Sequence, residues 1–135
     1  MEKRNLGNTG TKVGALGIGA MSFSDFYGPT NTQESHAILK LALDSGVDNI
    51  DTAKVYGMGL SEERIGQFLN NLGSNDRQFF KIATKGGIDR KNFDDKGTVV
   101  FNNSKEFLTQ ELDNSLKRLG VDCVAVSYTH LRAHE

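Results

Sequence analysis

The sequence predicts an α/β fold in which parallel strands alternate with helices, and three observations carry that expectation. Short apolar runs recur between longer stretches of helical periodicity, the joins between them are brief, and glycines stand where the helices stop. This order fits either part of a β/α barrel or a doubly wound sheet. A full (β/α)8 barrel takes about 250 residues. Four strands and three helices in 135 residues amount to roughly half of one.

Taken in order, Arg4-Asn5-Leu6 and Thr11-Lys12-Val13 flank Gly7-Asn8-Thr9-Gly10, whose glycine and asparagine tolerate the positive φ of a tight reversal, so a short β-hairpin opens the chain. Leu16 to Met21 reads as the first strand, ending in glycines where another group can approach the backbone. Asn31 and Glu34 form a capping box; Ile38, Leu41, Ala42 and Ser45 then share a helical face until Gly46. Val47 to Asp51 is the second strand. Ser61 reads as the cap of a second helix, with Glu62 and Glu63 complementing its dipole and Ile65, Phe68, Leu69 and Leu72 on one face. Phe79 to Thr84 is the third strand, and the polar segment Gly86 to Asn103 reads as a long excursion. Ser104 opens a third helix carrying Phe107, Leu108, Leu112, Leu116 and Leu119, closed by Gly120, and Cys123 to Val126 is the fourth strand. His36 falls at the surface of the first helix.

Composition excludes more than it assigns. With 16 basic and 17 acidic side chains the net charge is -1, which gives no field to gather nucleic acid or an anionic membrane. No apolar run approaches a membrane span, and the single cysteine, Cys123, cannot form an internal disulfide, so a reducing cytoplasm is the expected compartment.

Three polar side chains fall at the expected strand ends: Asp51, Lys85 and, in the loop after Asp51, Tyr56. In a barrel those ends converge on one face, where such folds place their chemistry. The set suits carbonyl reduction, because hydride addition builds negative charge on oxygen and a proton must come from a nearby acid. A tyrosine phenol is such an acid, with an ordinary pKa of about 10 that a neighbouring ammonium lowers. Lys85 is the candidate ammonium, and Asp51 the carboxylate that keeps it charged.

At these residues the sequence resembles the aldo-keto reductase family. The matching segments are Arg4-Asn5-Leu6-Gly7 with Thr9-Gly10, Leu16 to Met21, Ile50 to Gly57, Ser61-Glu62-Glu63, Thr84 to Gly87, and Ser115 to Asp122, in family order. The resemblance implies the N-terminal half of a (β/α)8 TIM barrel preceded by a hairpin, and a truncated domain over residues 1–135. It implies reduction of an aldehyde or ketone with NADPH (NADP+), Asp51, Tyr56 and Lys85 belonging to a catalytic tetrad whose tyrosine gives the proton. Gly19, Ala20, Met21 and Asp51 match positions against the nicotinamide end of the cofactor. The alternative within the family is an NADP-binding regulatory subunit of the potassium-channel β type. The isolated fragment is expected to be inactive.

The fourth tetrad member is a histidine at the end of strand four, which orients the carbonyl, and His130 falls at that spacing after Gly120. Yet Ala125, Val126 and Ser127 depart from the family's acidic and bulky residues, and the tail from 127 to 135 resembles translated adapter sequence. That tail is therefore expected to be non-native, with the spacing of His130 a coincidence. No metal is expected: His130 and His134 enclose Leu131 where a metalloprotease glutamate belongs, and the calcium-like run from Asn92 through Asp94 to Gly97 has Lys96 and Asn103 at ligand positions. Gly17-Ile18-Gly19 lacks the third glycine of a dinucleotide fingerprint, since Ser22 takes its place.

Overall fold

The computed structural model describes residues 1–93 and 99–129. The opening hairpin forms as expected, β1 (Lys3–Asn5) pairing antiparallel with β2 (Lys12–Gly14). It is pinned by the buried carboxylate of Asp48, which accepts from the Gly14 N–H at 2.6 Å and from Lys3 Nζ at 2.5 Å. Burial pushes the Asp48 pKa up, but these two donors outweigh it and leave the carboxyl below its usual range.

Four strands then pair in parallel in the order of the chain: β3 (Gly17–Gly19), β4 (Asn49–Asp51), β5 (Lys81–Gly86) and β8 (Val126–Thr129). Helices α1 (Thr32–Ser45), α2 (Leu60–Asn70) and α4 (Lys105–Leu119) connect them, with a short turn of helix, α3 (Ser74–Arg77), ahead of β5. A doubly wound sheet reverses its strand order at a switch point, whereas a barrel adds each strand beside the last. The unbroken order and the neighbouring packing of α1 on α2 and α2 on α4 are those of a barrel arc.

Strand alternation divides the residues between two faces. Ile18, Ile50 and Ile82 lie in one register row and turn toward the helices, where they meet Leu39, Ala42, Ile65, Phe68, Leu69, Phe80 and Leu119 in the core. Each fully buried aliphatic side chain contributes about 1.5–3 kcal/mol. The opposite face carries Gly19, Asp51 and Ala83 in adjoining positions, with Lys85 two residues beyond Ala83.

Several elements differ from the sequence expectation. The first strand stops at Gly19 rather than Met21, because Ala20–Ser24 coil into a 3-10 turn that buries Ala20 and Phe23. In α1 the capping box is present, but the inner face is Ser35, Leu39 and Ala42, while Ile38 and Leu41 are exposed. His36 is half-buried rather than superficial and tilts with this inner face: its Nε2 lies 3.0 Å from the Arg64 carbonyl and its ring meets Phe68 edge-on. Gly59, not Ser61, caps α2, since the Ser61 hydroxyl is drawn into the interior. The third strand begins and ends two residues later than expected. The fourth is Val126–Thr129, the chain needing residues 120–125 to return from the end of α4 to the sheet. Within the polar excursion, β6 (Ile88–Phe93) and β7 (Val99–Phe101) form an antiparallel pair outside the main sheet.

Candidate active site

Asp51 and Lys85 reach the site from the C-terminal ends of neighbouring strands, and Tyr56 reaches it from the loop between β4 and α2. That loop is a left-handed run, with φ of 64° at Gly57, 57° at Met58 and 105° at Gly59. A Cβ on Gly57 would come within 2.9 Å of Leu60 and Ser24, so the position has room for glycine alone. Met58 is a side-chain-bearing residue in the same region, a local strain beside the site.

The three predicted residues converge. Lys85, 9% exposed, donates from Nζ to Asp51 Oδ1, to the Thr52 carbonyl at 3.0 Å and to the Tyr56 hydroxyl oxygen at 2.9 Å. An ammonium has three protons, so each has an acceptor. Nζ also lies 4.7 Å from the centre of the Tyr56 ring. Burial draws the Lys85 pKa down, but its interactions with Asp51, Tyr56 and Tyr128 outweigh it and raise it above the ordinary lysine value. The ammonium therefore persists through the neutral range.

Tyr128 of β8, absent from the expected site, donates its hydroxyl proton to Asp51 Oδ2 and presents its ring to Lys85 Nζ at 5.1 Å. Burial, then the bond to Asp51, raises its pKa. His130, His134 and the calcium-like positions Asp94, Lys96 and Gly97 lie outside the described residues.

Of the positions matched to the nicotinamide end, Gly19 is exposed and a Cβ there would meet no atom within 4 Å, which leaves a flat approach to the strand end. Met21 is half-buried beside it. Ala20 is fully buried, its carbonyl accepting from Ser61 Oγ at 2.8 Å. The open strand end at Gly19 leaves room for a flat ring to lie against the backbone beside Asp51. A cavity of about 840 Å³ lies elsewhere, near Arg77, Lys81 and Asp122 at the other end of the strands, and shares none of this chemistry.

Sequence reasoning missed the polar groups behind the sheet. Glu62 is fully buried and accepts from Thr84 Oγ1 and Arg118 Nε, each at 2.6 Å. Its place after Ser61 marks only a helix start, and no local pattern tells that its side chain turns inward. Arg64 ties down the loop after β3, donating to the Phe23 carbonyl at 2.7 Å and the Thr30 carbonyl at 3.2 Å.

Comparison with known proteins bears on the family and the fold. The model of the aldo/keto reductase family matches residues 15–134. Aldo-keto reductase yakc of Schizosaccharomyces pombe, whose name carries NADP(+), is 35% identical over 94% of this chain and 36% of its own length. A protein of Oryza sativa named as a voltage-gated potassium channel β subunit is also 35% identical, over 96% of this chain and 37% of its own length. The solved holo form of the aldo-keto reductase AKR11C1 from Bacillus halodurans superposes with a TM-score of 0.79 at 30% identity, over 96% of this chain and 40% of that one. This chain thus spans about two fifths of the length of these relatives, and its sheet is an arc of their TIM barrel. On the family match and the shared fold together, the chain belongs to the aldo/keto reductase family.

Proposed function

We propose that this chain supplies the catalytic rim of an enzyme that reduces an aldehyde or ketone to an alcohol with NADPH. When bound, NADPH supplies the hydride that adds to the carbonyl carbon. Gly19 and Met21 would hold its nicotinamide end, at the open strand terminus beside Asp51. The Tyr56 phenol gives its proton to the carbonyl oxygen as charge develops there. Lys85 polarises that phenol by donating to its oxygen, and Asp51 with the Thr52 carbonyl holds the ammonium in place. The observation that carries this reading is the commitment of all three Lys85 protons, because the Tyr56 oxygen accepts and, among the described residues, its own proton has no acceptor and is left for a substrate.

The test is NADPH oxidation across a panel of aldehydes and ketones by a full-length chain carrying this segment. Tyr56→Phe is expected to lower kcat about 10²- to 10⁴-fold. Unchanged kcat in that variant would remove Tyr56 as the proton donor. A second reading, an NADP-binding regulatory subunit, draws support from the likeness to the rice protein. Tight NADPH binding without turnover of any carbonyl in the panel would favour it.

We further propose that residues 127–135 are foreign to the protein, so the Tyr128 contact is given no part in the reaction and a native histidine, not His130, positions the carbonyl. Reading the parent gene past codon 126 tests this, and a natural histidine in frame at 130 would refute it. The single cysteine is suited to a reducing cytoplasm. No described helix is long and apolar enough to cross a membrane.

A further inference from the structure

The first turn of α2 touches the ends of three successive strands through two side chains. Ser61 spends its one proton on the Ala20 carbonyl at 2.8 Å, just past β3, so the Thr52 hydroxyl must donate to Ser61 Oγ at 2.9 Å, just past β4. Glu62, next in sequence, accepts from Thr84 Oγ1 at 2.6 Å inside β5. Every residue held this way adjoins a residue of the site: Ala20 follows Gly19, Thr52 follows Asp51, and Thr84 precedes Lys85. Side chains alternate along a strand, so Thr84 is gripped from the helix layer while Lys85 projects to the reactive face. Thr52 is held twice, by Ser61 through its hydroxyl and by Lys85 through its carbonyl.

The grip is also closed from behind. Arg118 of α4 pairs with Glu62 Oε2 at 2.6 Å, and its aliphatic stem packs over Gly59, where an added Cβ would lie 2.8 Å from Cδ. The arginine that neutralises Glu62 therefore also presses on the loop that presents Tyr56. Ser61, Glu62 and Thr84 are all fully or almost fully buried, so water does not compete for these bonds.

We propose that Ser61 and Glu62 form a positioning latch that sets Lys85 and Asp51 against Tyr56, Glu62 acting through the Thr84 hydroxyl and touching no substrate. This rests on the reductase reading of the site, and it assigns to the Ser61-Glu62 pair a task distinct from starting a helix. Thr84→Val removes one hydroxyl at nearly constant volume and leaves the Glu62–Arg118 pair intact, while Thr84→Ser keeps the hydroxyl.

In the full-length chain, Thr84→Val is expected to lower kcat for carbonyl reduction about 10- to 100-fold with the carbonyl KM little changed, because a small displacement of the reacting groups is costly. Thr84→Ser is expected to recover most of that loss. The carbon-13 signal of the Lys85 ε-methylene, assigned by its disappearance in Lys85→Arg, gives a readout independent of turnover: it moves in Thr84→Val and returns in Thr84→Ser. Ser61→Ala, which breaks the hold on Ala20 and Thr52, moves it as well, and decides the matter should Thr84→Val not fold. If the Lys85 signal stays in place in the folded variants, the latch is refuted. A parent chain without turnover refutes the reductase reading, and the Lys85 signal still decides the latch.

Discussion

A lysine with only a small exposed fraction normally gives up its charge, since desolvation disfavours the ammonium. Lys85 does the opposite because the Asp51 carboxylate and the hydroxyls of Tyr56 and Tyr128 favour the ammonium and outweigh its burial. Its folded pKa therefore lies above the unfolded value of about 10.4. A raised pKa means that the ammonium's contribution to stability is fully present below that unfolded value and fades only as pH climbs through the folded one. Replacing Lys85 by methionine leaves the Thr52 carbonyl without its donor, a loss of about 1–3 kcal/mol for a buried acceptor. The stability gap between the full-length chain and Lys85→Met, measured by urea unfolding, should accordingly stay constant from about pH 6 to about pH 9. A gap that widens with pH over that interval would show a depressed lysine that sheds its proton in the folded chain.

Among the elements, α2 and α4 approach closely at Gly66, where a Cβ would sit 2.1 Å from the Arg118 carbonyl oxygen. No rotamer relieves a clash with backbone, so Gly66→Ala must push the two helices apart and should cost about 1–3 kcal/mol despite the better helix propensity of alanine. A thermal transition at or above the parent's would show that the helices separate freely. This contact also marks the limit of what the sequence discloses. Helix ends were legible because their signals are local: Asn31 with Glu34, Ser104 and the left-handed glycines 46 and 120 stand where expected. The triad was legible because its motifs sit at strand ends. The rotation of α1, with His36 against the Arg64 carbonyl, and the inward turn of Ser61 and Glu62 involve partners far along the chain. The β6–β7 pair escaped because the apolar run of β7, Val99-Val100-Phe101, is only three residues long and the sequence of β6 is broken by Asp89, Arg90, Lys91 and Asn92.

At the scale of the whole molecule, a closed barrel has no edge strands, but among the described residues β3 pairs only with β4 and β8, within the main sheet, only with β5. Both outer strands present unpaired backbone groups, a template for association with other chains. Among the described residues the face that carries Asp51 and Lys85 is likewise covered by no second arc of strands, and Asp51 keeps 42% of its side chain exposed. A proton donor works best where water is excluded, because charges and dipoles act more strongly in a low dielectric. The 135-residue chain alone is therefore expected to self-associate and to show no NADPH-dependent turnover. A chimera that continues it with the later β/α units of a family relative should be monodisperse and melt cooperatively, since closure pairs both edges at once. Size-exclusion chromatography with scanning calorimetry checks both chains. A monomeric, cooperatively melting and active 135-residue chain would mean that the arc needs no closure to hold its three groups together.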